Sequence, residues 1–395
     1  MVWQALTRAL SPLPKPTLTN DDGAKGRFPL YLANDHEQKA MIMRSLLPRL
    51  GIEHPILLAP MAGAGGTPEL AAAVSKAGGL GAWGGAYAKP EEIAATVRRM
   101  RALTPHPFNI NLFAGGYETE RKVDPGPMLA IVGEAHAKLG LPPPVLPAMS
   151  ANPFDAQLEA VLEERPPVFS FTSGVPSPAQ IAALRQRGII VIGTATTAEE
   201  ARQLAQAGVD AIVAQGAEAG AHRGTFAAPF EDSMVPLAKL VREICAGVAL
   251  PVIASGGIMD GRDVAAALQL GAAAVQLGTA FLPCPESGAP AAYKRALLDA
   301  KKDTTVITRA FSGRPARGLT NGFIGMVAGK ESAILPFRQQ NDLTRPMRNA
   351  AGTQGVADFI SLWAGQGVAR SRAMPAADLV ATLIDEARRS EAARP

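Results

Sequence analysis

From residue 55 onward the chain repeats one pattern: a short apolar run, a glycine or proline turn, then an alanine-rich stretch of helical periodicity. The apolar runs predict eight strands, at Ile56–Pro60, Gly79–Trp83, Phe108–Phe113, Val168–Phe171, Ile189–Gly193, Ala211–Gln215, Val252–Ser255 and Ala274–Leu277. Runs without polar alternation are what parallel strands covered on both faces look like. Helical stretches fall between them at Pro68–Ala77, Pro90–Arg101, Pro178–Arg187, Ala198–Ala207 and Gly261–Leu270. Several open with a polar cap and Pro or Glu in the first turn, and stop at Gly78, Gly188, Gly208 and Gly271. Strands and helices alternating at these lengths require parallel pairing through helical crossovers. Eight such units predict an α/β fold closed into a (β/α)8 TIM barrel. An open doubly wound sheet shares the local pattern, so the motifs must separate the two.

The flanks differ from this repeat. Residues 1–45 hold Pro12, Pro14, Pro16 and an Asn20-Asp21-Asp22-Gly23 turn without sustained periodicity, which predicts an irregular N-terminal extension. They carry no apolar signal-peptide core followed by a small-residue cleavage site, and a start at Met41 or Met43 is an alternative reading. Residues 46–285 form the expected barrel. After 285 the pattern loosens, and residues 286–395 are expected to form a helical cap and C-terminal helices packed on the barrel mouth.

Composition narrows the function classes. The 395 residues suffice for a barrel of ~250 plus appended segments, and 47% hydrophobic against 19% charged residues exclude disorder as the overall state. The net charge of +4, with no Lys/Arg cluster interleaved with aromatics, does not point to nucleic acid. Cys245 and Cys284 stand alone, without CxxC spacing or a neighbouring His, so neither a disulfide framework nor a zinc site is expected. A reducing, cytoplasmic compartment fits. The charge-free stretch Val264–Pro285 is broken by Gln269, Gly271, Gln276 and Gly278, and reads as a helix end, a turn and a buried strand rather than a membrane span.

Three motifs carry chemistry. Ala254-Ser255-Gly256-Gly257-Ile258 ends the seventh predicted strand, and Gln276-Leu277-Gly278-Thr279-Ala280 ends the eighth. Successive glycines let backbone N–H groups approach a phosphate, a following helix N-terminus adds favourable potential, and these two loops form the usual phosphate site of the barrel. Ala59-Pro60-Met61-Ala62-Gly63 ends strand one, where a small apolar turn can lie against a flat ring; ordinary core is the equal alternative. The third motif, Gln215 to Gly224, contains His222, the one histidine of five in a glycine-rich loop at a strand end. An unperturbed imidazole near pH ~6.5 suits proton transfer. No His/Asp/Glu cluster has metal-ligand spacing.

The ordered set LLAPMAG, NINLF, AQGAEAGAHRG, SGGI, QLGTAFL, SGRPARGL, PFRQQNDLTRPMR and WAGQG resembles the class I nitronate monooxygenases, formerly called 2-nitropropane dioxygenases, over roughly residues 50–370. The resemblance implies FMN as cofactor. Pro60 and Met61 would pack on its ring, Asn111 and Gln215 would bond its pyrimidine edge, and Gly220 would approach the ring. Ser255, Gly256, Gly257, Gly278 and Thr279 would form its phosphate loops. His222 would act as base toward a nitroalkane or orient the nitronate. The implied reaction oxidises an alkyl nitronate, propionate 3-nitronate above all, through a flavin semiquinone reoxidised by O2, giving a carbonyl compound and nitrite. Detoxification is the implied role, by a monomer or homodimer whose partners are a small-molecule nitronate and O2. Two positions depart from the family pattern: Gly220-Ala221 replaces a glycine pair before the histidine, and Leu335-Pro336 replaces a Tyr-Pro. Arg314, Arg317, Arg338, Arg345 and Arg348 follow the barrel and are candidates for a substrate carboxylate, with surface salt bridges the commoner fate.

Two other readings share parts of the pattern. An FMN barrel reductase taking hydride from NAD(P)H, acting on a quinone or enoyl thioester, shares the phosphate loops and first strand. A non-catalytic flavin-binding protein is the second. An IMP-dehydrogenase-like chain would need a nucleophilic cysteine in an active loop, where neither Cys245 nor Cys284 sits.

Overall fold

The computed structural model describes residues 46–63, 65–117, 123–149, 151–302 and 304–393, so the expected extension 1–45 lies outside the described residues. The barrel elements are β1 Ile56–Leu58, α1 Pro68–Lys76, β2 Gly81–Gly84, α2 Pro90–Leu103, β3 Phe108–Phe113, α3 Gly126–Lys138, α4 Phe154–Glu164 and β4 Val168–Thr172. They continue with α5 Pro178–Gln186, β5 Ile190–Ala195, α6 Ala198–Ala207, β6 Ala211–Gln215, β7 Ala221–His222, α7 Leu237–Gly247, β8 Val252–Ser255, α8 Gly261–Gln269 and β9 Ala274–Leu277. Beyond lie α9 Ala291–Asp299, β10 Thr305–Thr308, β11 Ala316–Leu319, α10 Gly322–Val327, α11 Gln339–Gln354 and α12 Ala376–Ala392.

Eight strands pair in parallel in the order β1-β9-β8-β6-β5-β4-β3-β2. The ring closes through a parallel bridge between Leu57 and Leu80. There Leu80 N donates to Ile56 O and Leu58 N to Leu80 O, both at 2.9 Å. The chain is therefore a TIM barrel rather than an open doubly wound sheet. Capping explains where the helices start: Thr67, Thr197 and Asp260 accept side-chain bonds from the first turns of α1, α6 and α8.

Three features show how the segments outside the strand ring are placed. First, α3 leaves the barrel: Met128, Ile131, Val132 and Ala135 pack with Phe311, Phe323, Leu343 and Met347 in the core of a second lobe. Second, that lobe is not purely helical. β10, β11 and β7 form a three-stranded antiparallel sheet, so the loop after barrel strand β6 is hydrogen-bonded into the C-terminal region. Third, α12 packs on the outer wall, where Leu379, Leu383 and Ala387 share a core with Val264 and Leu268 of α8. Gly261 permits this, because a Cβ there would lie 2.5 Å from Leu383 O. Among the described residues no helix is long and apolar enough to cross a membrane.

Candidate active site

At the C-terminal ends of the barrel strands lies a cavity of about 680 Å3, within the range of cofactor and ligand sites. All eleven site residues expected from the sequence line it: Pro60, Met61, Asn111, Gln215, Gly220, His222, Ser255, Gly256, Gly257, Gly278 and Thr279.

The glycine loops form one end. Gly257 has φ +68° and a Cβ there would sit 3.0 Å from Glu218 Cβ, so both backbone conformation and space call for glycine. The expected help from a helix N-terminus is not available. The first turn of α8 is already claimed by carboxylates: Asp260 accepts from Arg262 N and Asp263 N, and Glu386 accepts from Gly261 N at 2.8 Å. What remains for an anion is the glycine loop itself and the 3-10 turn Thr279–Phe281. Thr279 is held in place as its Oγ1 accepts from Gly365 N at 2.9 Å, which joins the WAGQG segment to this end.

Asn111 and Gln215 form the floor. Asn111 Nδ2 donates to Ser170 Oγ at 2.9 Å. Gln215 braces the next loop, donating to His222 O at 3.1 Å and accepting from Gly224 N at 2.8 Å. The same loop is fixed by Arg223, 5% exposed, whose guanidinium donates to Gln215 Oε1, Gly216 O and Ser233 O. Glu200, fully buried, accepts from Thr196 N, Thr225 Oγ1, Phe226 N and Ala227 N on its other side. Gly220 lets two backbones touch: a Cβ there would lie 2.6 Å from Ala364 C and Gly365 N.

His222 lies in β7, paired with Ala316 of β11, and its Nε2 is 2.8 Å from Ser312 Oγ. Phe113, Phe337 and Trp363 surround the imidazole with ring centroids at 6.0, 6.1 and 5.7 Å. This enclosure changes the acid–base expectation. Burial, with the charges of Arg314 and Arg348, pushes the His222 pKa down to about 3, so the ring is neutral at every physiological pH instead of titrating near 6.5. Ser312 and the three aromatic residues were not singled out from the sequence; the only signals were their places in SGRPARGL, NINLF, PFRQQ and WAGQG.

Arginines stand at the mouth. Arg345 and Arg348 of α11 line the cavity, and Arg345 stacks over the Tyr87 ring at 4.9 Å. Arg338 and Arg314 stand close by, over Tyr87 and Phe337 at 5.5 and 5.3 Å. Arg317 is elsewhere, donating to Ala217 O. Among the described residues no group of three or more His, Cys, Asp or Glu is placed to hold a metal ion.

A family model described as nitronate monooxygenase matches residues 44–386. The chain belongs to the nitronate monooxygenase family. A nitronate monooxygenase of Pseudomonas aeruginosa is 44% identical over 346 residues, covering 86% of this chain and 97% of the relative. One of Paraburkholderia phytofirmans is 42% identical over 355 residues, covering 88% and 96%. Among solved structures, nitroalkane oxidase from Streptomyces ansochromogenes superposes with a TM-score of 0.81 at 40% identity, covering 87% of this chain and 98% of that one. FabK from Thermotoga maritima gives 0.69 at 31% identity, covering 87% and 96%.

The two departures from the family pattern have physical readings. Ala221 adopts φ +61°, a left-handed conformation that glycine takes without strain. Leu335 is 1% exposed and belongs to the core of the second lobe, so this position presents nothing to the cavity.

Proposed function

We propose that the enzyme oxidises alkyl nitronates with FMN and O2 to a carbonyl compound and nitrite, and that propionate 3-nitronate is its substrate. The observation that carries this reading is a neutral, enclosed His222 sharing one cavity with two glycine loops and two arginines. The residues fit FMN. Gly256, Gly257, Gly278 and Thr279 would hold the phosphate, where Cβ atoms would crowd the loop, while Pro60 and Met61 would support the ring. Bound flavin supplies the electron acceptor that passes electrons on to O2.

The chain's own residues bind and orient the substrate. A nitronate is already a carbanion equivalent, so it needs little proton transfer. Ser312 occupies His222 Nε2, which leaves Nδ1 as the nitrogen for a ligand. A neutral imidazole can donate to or accept from that ligand without adding charge. Arg345 and Arg348 supply positive potential for an anion, with Arg348 Nη2 fixed on Asn341 O at 2.7 Å. Phe113, Phe337 and Trp363 pack around the imidazole, which is half-buried at the cavity wall.

The deciding measurement is oxygen uptake by the flavin-loaded enzyme with propionate 3-nitronate and no nicotinamide. Uptake with nitrite release, lost in His222→Asn, is expected. No uptake, with NAD(P)H bleaching the flavin, would move the chain to the reductases.

A further inference from the structure

Beside His222 the polar groups do not balance. Arg314 lies over the Phe337 ring and against Gly116, where a Cβ would come within 2.0 Å of its Nη1. That Nη1 is buried without a hydrogen-bond partner, and Arg314 forms no ion pair with a carboxylate among the described residues. Arg338 Nη1 is also buried and unpartnered; its Nε reaches Asp342 at 3.4 Å, a carboxylate shared with Arg345. Beside them stands the Tyr117 hydroxyl, which Arg338 reaches and whose ring packs on Phe337 at 5.6 Å. Both guanidinium charges act on that hydroxyl, so the three groups face one region. Phe337 is their common wall with the active site, because its ring also contacts His222.

Native chains rarely leave buried donors unpaired, and here two guanidinium donors and a phenol collect where, among the described residues, arginines outnumber carboxylates. Every one of them can donate, and guanidinium forks match the two oxygens of a planar anion. We propose that Arg314, Arg338 and Tyr117 form a binding site for a small planar monoanion, a carboxylate or nitrite, adjoining the nitronate cavity. The assignment of the anion's source rests on the proposed reaction, which supplies both: a carboxylate on the substrate's tail and nitrite as product. Gly116 is part of the design, since only a residue without Cβ leaves room for the Arg314 guanidinium.

The test uses flavin-loaded enzyme and reads binding before turnover. Formate and nitrite are titrated separately by calorimetry and by thermal unfolding against wild type, Arg314→Met, Gly116→Ala and Tyr117→Phe. Wild type is expected to bind each anion saturably, with affinity falling at least tenfold in Arg314→Met and Gly116→Ala, and less in Tyr117→Phe. Turnover then separates the sources. A tenfold rise in KM for propionate 3-nitronate but not ethyl nitronate in Arg314→Met assigns the site to the substrate's tail. Unchanged KM for both, with anion binding lost, assigns it to free anion. The proposal is overturned if wild type shows no saturable binding, or if the variants that fold bind formate and nitrite as wild type does. Because formate binding needs no turnover, its failure is distinct from failure of the nitronate reading.

Discussion

The neutral state of His222 has a consequence that can be measured away from catalysis. In the unfolded chain an imidazole takes up a proton near pH ~6.5, whereas in the fold burial and the charges of Arg314 and Arg348 hold the His222 pKa at about 3. Between these values the unfolded chain binds a proton that the folded chain does not. Stability therefore falls as pH drops through that window, and is fully retained above it. At pH 5, about 1.5 units below the unfolded value, the loss is about 2 kcal/mol. Replacing His222 with Asn removes the titration while keeping a polar side chain beside Ser312. The substitution has its own pH-independent cost, which cancels when one compares how each protein changes with pH. Urea unfolding of both proteins at pH 7, 6 and 5 in one buffer series gives the difference directly. We expect that difference to move by about 2 kcal/mol in favour of the variant from pH 7 to 5. Parallel curves would show that His222 protonates in the fold much as it does in water, and would refute the enclosure argument.

Other positions give further outcomes. Arg223→Met leaves Gly216 O and Ser233 O without their donor and should cost about 3 kcal/mol in urea unfolding, with a loss under about 1 kcal/mol contradicting the bracing role. Neighbouring residues should respond oppositely to one methyl group. Gly220→Ala drives a Cβ into the Ala364–Gly365 backbone and should cost about 2 kcal/mol and weaken flavin retention. Ala221→Gly trades about 1 kcal/mol of left-handed strain for a glycine entropy of similar size, so the unfolding midpoint should barely move. Thr279→Val removes the acceptor for Gly365 N and should cost about 1 kcal/mol and, on the proposed cofactor, raise the Kd for added FMN, measured by flavin fluorescence.

How much of this was legible in the sequence depends on whether a feature is local. The strands Phe108–Phe113, Ala211–Gln215, Val252–Ser255 and Ala274–Leu277 lie where the apolar runs predict them, because a parallel strand covered on both faces writes its burial into consecutive residues. The glycine loops were readable for a similar reason, since a turn that cannot hold a Cβ shows as glycine. β7 left no such trace: two residues inside a glycine-rich loop carry no period, and their partner β11 lies far along the chain. α3 is legible as a helix only once formed, and nothing local sends it to the second lobe rather than the barrel wall.

The histidine marks where local reading ends. Its place after β6 can be seen from glycines and strand order, but its protonation state cannot. The same side chain in an open strand-end loop would titrate near neutrality. It is the convergence of Phe113 from β3, Phe337 before α11 and Trp363 beyond it that crowds the ring, half-buried at the cavity wall. Two arginines from the second lobe then make a proton there still less welcome. Those contacts exist because β7 pairs with β11 and carries His222 under the lobe. A variant that loosens that pairing without touching the cavity should thus raise the His222 pKa toward its ordinary value, linking the architecture of the loop to the chemistry of the site.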